Sequence, residues 1–322
     1  MQYSRVTFDK IIDIYTQLIV AYKTFAMNFT ITGYSTALFS TWYFIEELNL
    51  LFDCGDGIIS SLLQKSRKIE NVFISHADRD HLTGLLQFNQ LNARQDLPVI
   101  HYPGDSGSFP AIRDFSIKFD PHVKGTVWKP LINGDKVWIK KDVYVEAIKN
   151  NHVQVSDENV FKSFGYRVVN VRSKLKPEYI NLPSTEIRKT IETLGREATH
   201  TGIETTLIAY SGDTPCENFE YWNNSKVLIH EATFLSGDED HNSIQTHGNK
   251  HSNLEEVIKA VSQINLECLI LGHFSSRYSD EQIDESITEL CRKYQIKIPV
   301  YRILPGQVMR NILSEHPLFT IK

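Results

Sequence analysis

Histidines and acids stand directly after short apolar runs along most of this chain. Asp53 ends LNLLF, His76 follows NVFI and one serine, and His152 follows VYVEAIKNN. Asp213 follows TLIAYSG, His230 and Glu231 follow KVLI, and His273 follows CLILG. Runs of this length, rich in Val, Ile, Phe and Tyr and bounded by polar residues, read as strands. Side chains at the C-terminal ends of neighbouring strands gather along one sheet edge, so residues far apart in sequence are expected to meet there.

Strands are expected at 29–32, 48–52, 72–74, 99–102, 143–148, 166–171, 206–210, 227–229, 269–271 and 300–304. Helical periodicity covers 82–91, 185–194, 254–264 and 281–294. Two of these helices carry start signals, Ser252 with Glu255 and Ser279 with Gln282, each fitting a capping box. Strands interleaved with helices in this order predict an α/β protein of two sheets sandwiched between helices. Trp42, Trp128, Trp138 and Trp222 are expected in the core.

A chain of 322 residues, 41% hydrophobic and 23% charged, has enough apolar material for one large domain. Its net charge of -5 gives no global sign of a nucleic-acid or membrane partner. Cys54, Cys216, Cys268 and Cys291 form no CxxC pair, which argues against a disulfide framework or a thiolate zinc site and favours a cytoplasmic location. The apolar segment 11–22 is too short to span a bilayer. Residues 1–27 read as an N-terminal extension, helical in pattern, ahead of a domain at 28–322. Residues 172–205 are polar, contain prolines and interrupt the strand rhythm, so they read as an inserted arm or flap.

The densest chemistry lies in SHADRDHLTGLL, where a strand exit places His76, Asp78, Asp80 and His81 close together. Imidazoles and carboxylates leaving one strand are a ligand set for a divalent metal. A solvated charged turn would account for one such cluster, but not for its recurrence after the other runs.

From about residue 28 to residue 305 the chain resembles ribonuclease Z and its metallo-β-lactamase-fold relatives. The matching segments, in order, are FDCGDG, SHADRDHLTGL, FGYRV after a histidine, YSGDTP, HEATF, HSNLEE and LGHFSSRY. The resemblance implies an αββα sandwich of two mixed sheets flanked by helices. It also implies a metal-dependent phosphodiesterase in which water is activated between two divalent ions, most simply zinc. One ion would be held by His76, residue 78, His152 and Asp213, and the other by Asp80, His81, His273 and Asp213. Asp80 would also accept the water's proton. Asp53 would orient a ligand imidazole through its outer ring nitrogen. His251, backed by Glu231, would contact the phosphate and protonate the leaving oxygen; His247 is a further candidate phosphate contact.

The family has histidine where this chain has Asp78, and a carboxylate there moves the expected preference toward Mn or Fe. Asn253 stands where threonine usually follows HS. The arm lacks the Gly-Pro signature of its family counterpart, which clamps tRNA in a homodimer. The implied substrate is a phosphodiester such as a precursor tRNA 3' trailer. Small or cyclic-nucleotide phosphodiesters, and a metal-binding member with little activity, are the competing readings.

Overall fold

The computed structural model describes residues 29–235 and 250–320; the proposed extension at 1–27 and His247 lie outside them. One sheet runs in the order β1 (Ile31–Thr36), β2 (Ser40–Ile45), β3 (Leu50–Phe52), β4 (Asn71–Phe73), β5 (Val99–Pro103) and β6 (Val127–Leu131). Its first three strands are antiparallel and the rest parallel. The second sheet comprises β7 (Lys136–Lys140), β8 (Val143–Lys149), β9 (Phe164–Leu175), β10 (His200–Tyr210), β11 (Ser225–Glu231), β12 (Leu266–Gly272) and β13 (Val300–Arg302). Its strands neighbour one another in sequence order. They are antiparallel from β7 to β10 and parallel from β10 to β13.

Alternation along the strands divides the apolar side chains into layers. Phe52, Phe73, Tyr166, Tyr210 and Ile270 meet between the sheets. Ile58, Leu62, Leu85, Phe88 and Phe109 bury the outer face of the first sheet under helices. Leu254, Val257, Ile258, Ile283, Ile287 and Leu290 do the same for the second. The result is the αββα sandwich of two mixed sheets, with parallel strand ends aligned along one edge.

Two local expectations are corrected. The helix Leu254–Val261 is capped by Asn253, whose side chain accepts from the Glu255 amide at 2.9 Å. Ser252, the expected cap, instead donates to the Thr214 carbonyl, because its hydroxyl is drawn into the strand-end loops. Trp138 is not core: it is 55% exposed on the edge strand β7, resting against Tyr144. The capping box of Ser279 and Gln282 forms on the helix Asp280–Lys293.

Within 172–205, β9 runs on to Leu175 and β10 starts at His200, paired with it. The strand rhythm therefore continues into the segment, and the helix Ser184–Leu194 lies between the strands with no buried residue. Among the described residues no helix is long and apolar enough to cross a membrane. Cys54, Cys216, Cys268 and Cys291 are all free thiols.

Candidate metal centre and active site

The β4 exit and the short helix Arg79–Leu82 carry His76, Asp78, Asp80 and His81. Asp78 occupies the helix N-cap position in extended backbone and makes no side-chain cap bond. Its carboxylate turns to the cluster instead, with Oδ2 3.6 Å from His76 Nε2 and 3.5 Å from His152 Nε2. Aspartate is shorter than histidine, yet its carboxylate lies within 3.6 Å of both ring nitrogens.

His152, Asp213 and His273 arrive on the loops after β8, β10 and β12. Asp213 Oδ2 lies centrally, 3.2 Å from His81 Nε2, 3.3 Å from His273 Nε2 and 3.7 Å from His76 Nε2. Asp80 Oδ2 lies 3.3 Å from His273 Nε2 and 3.6 Å from His81 Nε2. It also accepts the Leu38 amide at 3.0 Å. The structure thus brings His76, Asp78, Asp80, His81, His152, Asp213 and His273 into one cluster.

The outer nitrogens explain how the rings are held. His81 Nδ1 donates to Asp53 Oδ2 at 2.7 Å, and His152 Nδ1 donates to the Lys250 carbonyl at 2.8 Å. Ser75 Oγ donates to Asp53 Oδ2, so it accepts from His76 Nδ1 at 2.9 Å. Thr233 Oγ1 donates to Glu231 Oε2 at 2.6 Å, so it accepts from His273 Nδ1 at 2.9 Å. With each Nδ1 engaged as a donor, each Nε2 faces the carboxylates, where a cation displacing any Nε2 proton would meet a lone pair, the arrangement a metal-binding imidazole needs.

That inward arrangement fits cations. His76 Nε2 is buried without a hydrogen-bond partner, and the Nε2 atoms of His81 and His273 face each other at 3.4 Å. Bond lengths of about 2.0–2.1 Å around a tetrahedral zinc separate adjacent donors by roughly 3.3–3.4 Å, within the range of separations seen here. Groups that could hold an ion include His76 with Asp78 and His152, and His81 with Asp80 and His273.

Asp53 is completely buried at the start of the loop after β3, in left-handed backbone (φ 53°). Its carboxylate accepts from the Ser75 amide at 2.6 Å, the Ser75 hydroxyl at 2.8 Å and the Tyr210 hydroxyl, as well as from His81. His273 is also left-handed, at φ 62°. Non-glycine residues hold such a conformation at a cost on the order of 1–3 kcal/mol, and the dense bonding around both residues sustains it. Two glycines pack this edge closely. The Gly84 amide donates to the Cys54 carbonyl and the Cys54 amide to the His81 carbonyl, both at 2.8 Å. A Cβ on Gly55 would stand 2.3 Å from the Asp80 carbonyl oxygen, and one on Gly84 2.2 Å from the Gly55 carbonyl oxygen.

The charges follow from burial set against pairing. Burial opposes ionisation of Asp213, but His273 and His81 overcome it and hold the carboxyl well below the usual range. Burial likewise disfavours a charged His81, and Asp213, Asp80 and Asp53 overcome it and raise its pKa. For His76 burial dominates, helped by His81 and His152, and its pKa is lowered.

His251 lies beside this cluster, Nδ1 3.1 Å from Glu231 Oε1 and 3.8 Å from Asp213 Oδ2. Its side chain is 14% exposed, which leaves the imidazole reachable from solvent. Burial works against the imidazolium, but the charge and hydrogen bond of Glu231 raise His251 to about 9. Glu231 is anchored in turn by the amides of Thr214 and Thr233 and by the Thr233 hydroxyl.

Sequence reasoning missed Thr233, Ser75 and Tyr210, whose hydroxyls tie the outer ring nitrogens and Asp53 together. Their only sequence signal is adjacency: Thr233 lies inside HEATF, Ser75 precedes His76, and Tyr210 opens YSGDTP. His230, which also follows an apolar run, turns away from the cluster and stacks on Phe219.

No model of a known protein family matches the chain. The chain is 30% identical over 285 residues to a chloroplastic tRNase Z from Arabidopsis thaliana, covering 84% of this chain and 74% of that protein. Among solved structures it resembles a metallo-β-lactamase-fold protein, YhfI from Bacillus subtilis, with a TM-score of 0.58 at 14% identity over 88% of this chain and all of that one. It also resembles the short form of human tRNase Z, with a TM-score of 0.56 at 18% identity over 87% of this chain and 98% of that one. The sandwich, the converging donors and the likeness to the plant protein agree: this chain belongs to the ribonuclease Z family of metallo-β-lactamase-fold hydrolases.

Proposed function

We propose that this protein is a metal-dependent endoribonuclease that hydrolyses a phosphodiester of precursor tRNA, removing a 3' trailer. The observation that carries the reading is the shared orientation of His76, His81, His152 and His273. All have Nδ1 engaged outward and Nε2 directed at the carboxylates of Asp78, Asp80 and Asp213. The relatives' names, tRNase Z and ribonuclease Z, support the choice of RNA.

His76, Asp78, His152 and Asp213 would hold one divalent ion; Asp80, His81, His273 and Asp213 would hold the other. Bound cations would acidify a water and neutralise charge on phosphate oxygens. Zinc suits the imidazoles, and the carboxylate of Asp78 makes Mn or Fe competitive. Asp80 Oδ2, fixed by the Leu38 amide, would take the water's proton. His251, kept charged by Glu231, would protonate the leaving oxygen. The free thiols support a cytoplasmic location, and the resemblance to ribonuclease Z, not the arm at 172–205 with its missing Gly-Pro signature, supports a homodimer.

The test incubates protein loaded in turn with zinc, manganese or iron with precursor tRNA and with bis(p-nitrophenyl) phosphate. Trailer release that EDTA abolishes and Asp80→Ala lacks is expected. Hydrolysis of the small ester without trailer release would overturn the tRNA assignment. Full activity of Asp80→Ala would overturn the catalytic roles.

A further inference from the structure

The metal cluster is divided between the two sheets. His76, Asp78, Asp80 and His81 follow β4 of the first sheet, whereas His152, Asp213 and His273 follow β8, β10 and β12 of the second. Each ion of the proposed pair would draw donors from both halves, so a slip of one sheet against the other would spread both donor sets at once. The apolar layer between the sheets resists such a slip poorly, because hydrophobic attraction has no direction. Hydrogen bonds do have direction.

Two buried phenols cross that layer at the metal edge. Tyr166 on β9 and Tyr210 on β10 are direct cross-strand partners, so both leave the second sheet on the same face. Opposite them, Phe52 and Phe73 end the neighbouring parallel strands β3 and β4 and are themselves register partners. The Phe52 ring stacks on both tyrosines, with centroids 5.0 Å from Tyr210 and 5.9 Å from Tyr166. The two hydroxyls thereby reach the residues one step beyond each strand. Tyr210 donates to Asp53 Oδ2, and Tyr166 donates to the Ile74 carbonyl at 2.6 Å. Asp53 holds His81, Ile74 lies two residues before His76, and Tyr210 lies three before Asp213. Both tyrosines are buried, and a buried hydroxyl costs free energy unless it is bonded, so packing alone would be served as well by phenylalanine.

We propose that Tyr166 and Tyr210 are positioning residues that set the register of the two half-sites, so that the donors stand arranged for two ions before either binds. The inference rests on the metal centre of the proposed function and adds what aligns it. Without the hydroxyls, the first ion must itself draw the sheets into register and bears that cost. The second ion then meets halves already aligned, which couples the two binding events. The Phe164 amide, which donates to the Ser75 carbonyl at 2.8 Å, still joins the sheets in such a variant, so the loss is partial.

The test compares wild-type protein with Tyr166→Phe, Tyr210→Phe, the double variant and Tyr301→Phe. Tyr301 is the control: it packs in the same layer, but its hydroxyl donates to the Leu313 carbonyl at 3.5 Å. EDTA-stripped protein is titrated with zinc against a chromophoric chelator to resolve the first and second binding constants, and cobalt loading gives the visible bands of the donor set. The double variant should bind its first ion about tenfold or more weakly, with a smaller change in the second constant and shifted cobalt bands. Each single variant should show part of that loss. Tyr301→Phe should keep wild-type constants and bands even where urea unfolding shows lost stability. Unchanged zinc constants and cobalt bands in both single variants, or an equal change in Tyr301→Phe, would overturn the proposal. Wild-type protein that binds no ion would overturn it together with the metal centre. Precursor tRNA left uncut by protein with normal metal binding would count against the ribonuclease reading alone.

Discussion

Replacing Asp53 by asparagine tests how the metal cluster is held from behind. Asp53 Oδ1 accepts the Ser75 amide, while Oδ2 accepts from the Ser75 hydroxyl, His81 Nδ1 and the Tyr210 hydroxyl. Asparagine offers one acceptor oxygen. Placed at the Oδ2 position, it leaves its amide facing the Ser75 N–H, donor against donor. Placed at Oδ1, it turns that amide toward all the other donors. The first arrangement loses less, leaving a buried unsatisfied pair worth about 1–3 kcal/mol, with roughly 1 kcal/mol more as the remaining bonds lose their charge. We expect Asp53→Asn to lose about 2–4 kcal/mol in urea unfolding of the EDTA-treated protein. We also expect zinc affinity, measured by competition with a chromophoric chelator, to fall about 10–100-fold as His81 loses its orientation. A loss below about 1 kcal/mol with unchanged zinc affinity would refute the idea that Asp53 fixes the ring.

Asp78→His should strengthen zinc relative to manganese, read by the same competition, because nitrogen replaces oxygen among the donors; equal or weaker zinc binding would show a centre adapted to carboxylate. His251→Ala should lower kcat by about 10²-fold or more. Because Glu231 raises His251 to about 9, the acid form persists through neutrality, and wild-type kcat should fall as pH rises through about 9, a limb that His251→Ala lacks. Thr233→Val removes the hydroxyl between His273 and Glu231; it should weaken metal binding about tenfold or more while Thr233→Ser restores it. Unchanged metal affinity in Thr233→Val would show that His273 holds its tautomer unaided.

Central strands were legible because burial on both faces makes them short continuous apolar runs, as in Leu50–Phe52 and Ser225–Glu231. The strands missed have physical reasons. Val127–Leu131 and Lys136–Lys140 are edge strands, and their Pro130 and lysines obscure the pattern where one side meets solvent. Ser40–Ile45 is buried throughout but merges through Glu46–Leu48 into the next strand, with only left-handed Asn49 marking the turn. The helix Ser108–Phe119 buries only Phe109 and Ser116, too little for a periodic signal. At the site, the residues at strand ends were readable because sheet edges gather them. Thr233, Ser75 and Tyr210 were not, since a hydroxyl carries no sequence mark of which ring nitrogen it will meet.

Gly55 and Gly84 carry no side chain to offer a ligand, yet each occupies a gap that admits only hydrogen. In a saturation-mutagenesis library both positions should therefore tolerate change as poorly as the ligands do. A methyl group at either would wedge the strand-exit loop from the turn bearing Asp80 and His81, spoiling the centre without altering a single donor atom. The genetic footprint of this hydrolase accordingly extends to backbone whose whole contribution is to occupy no room.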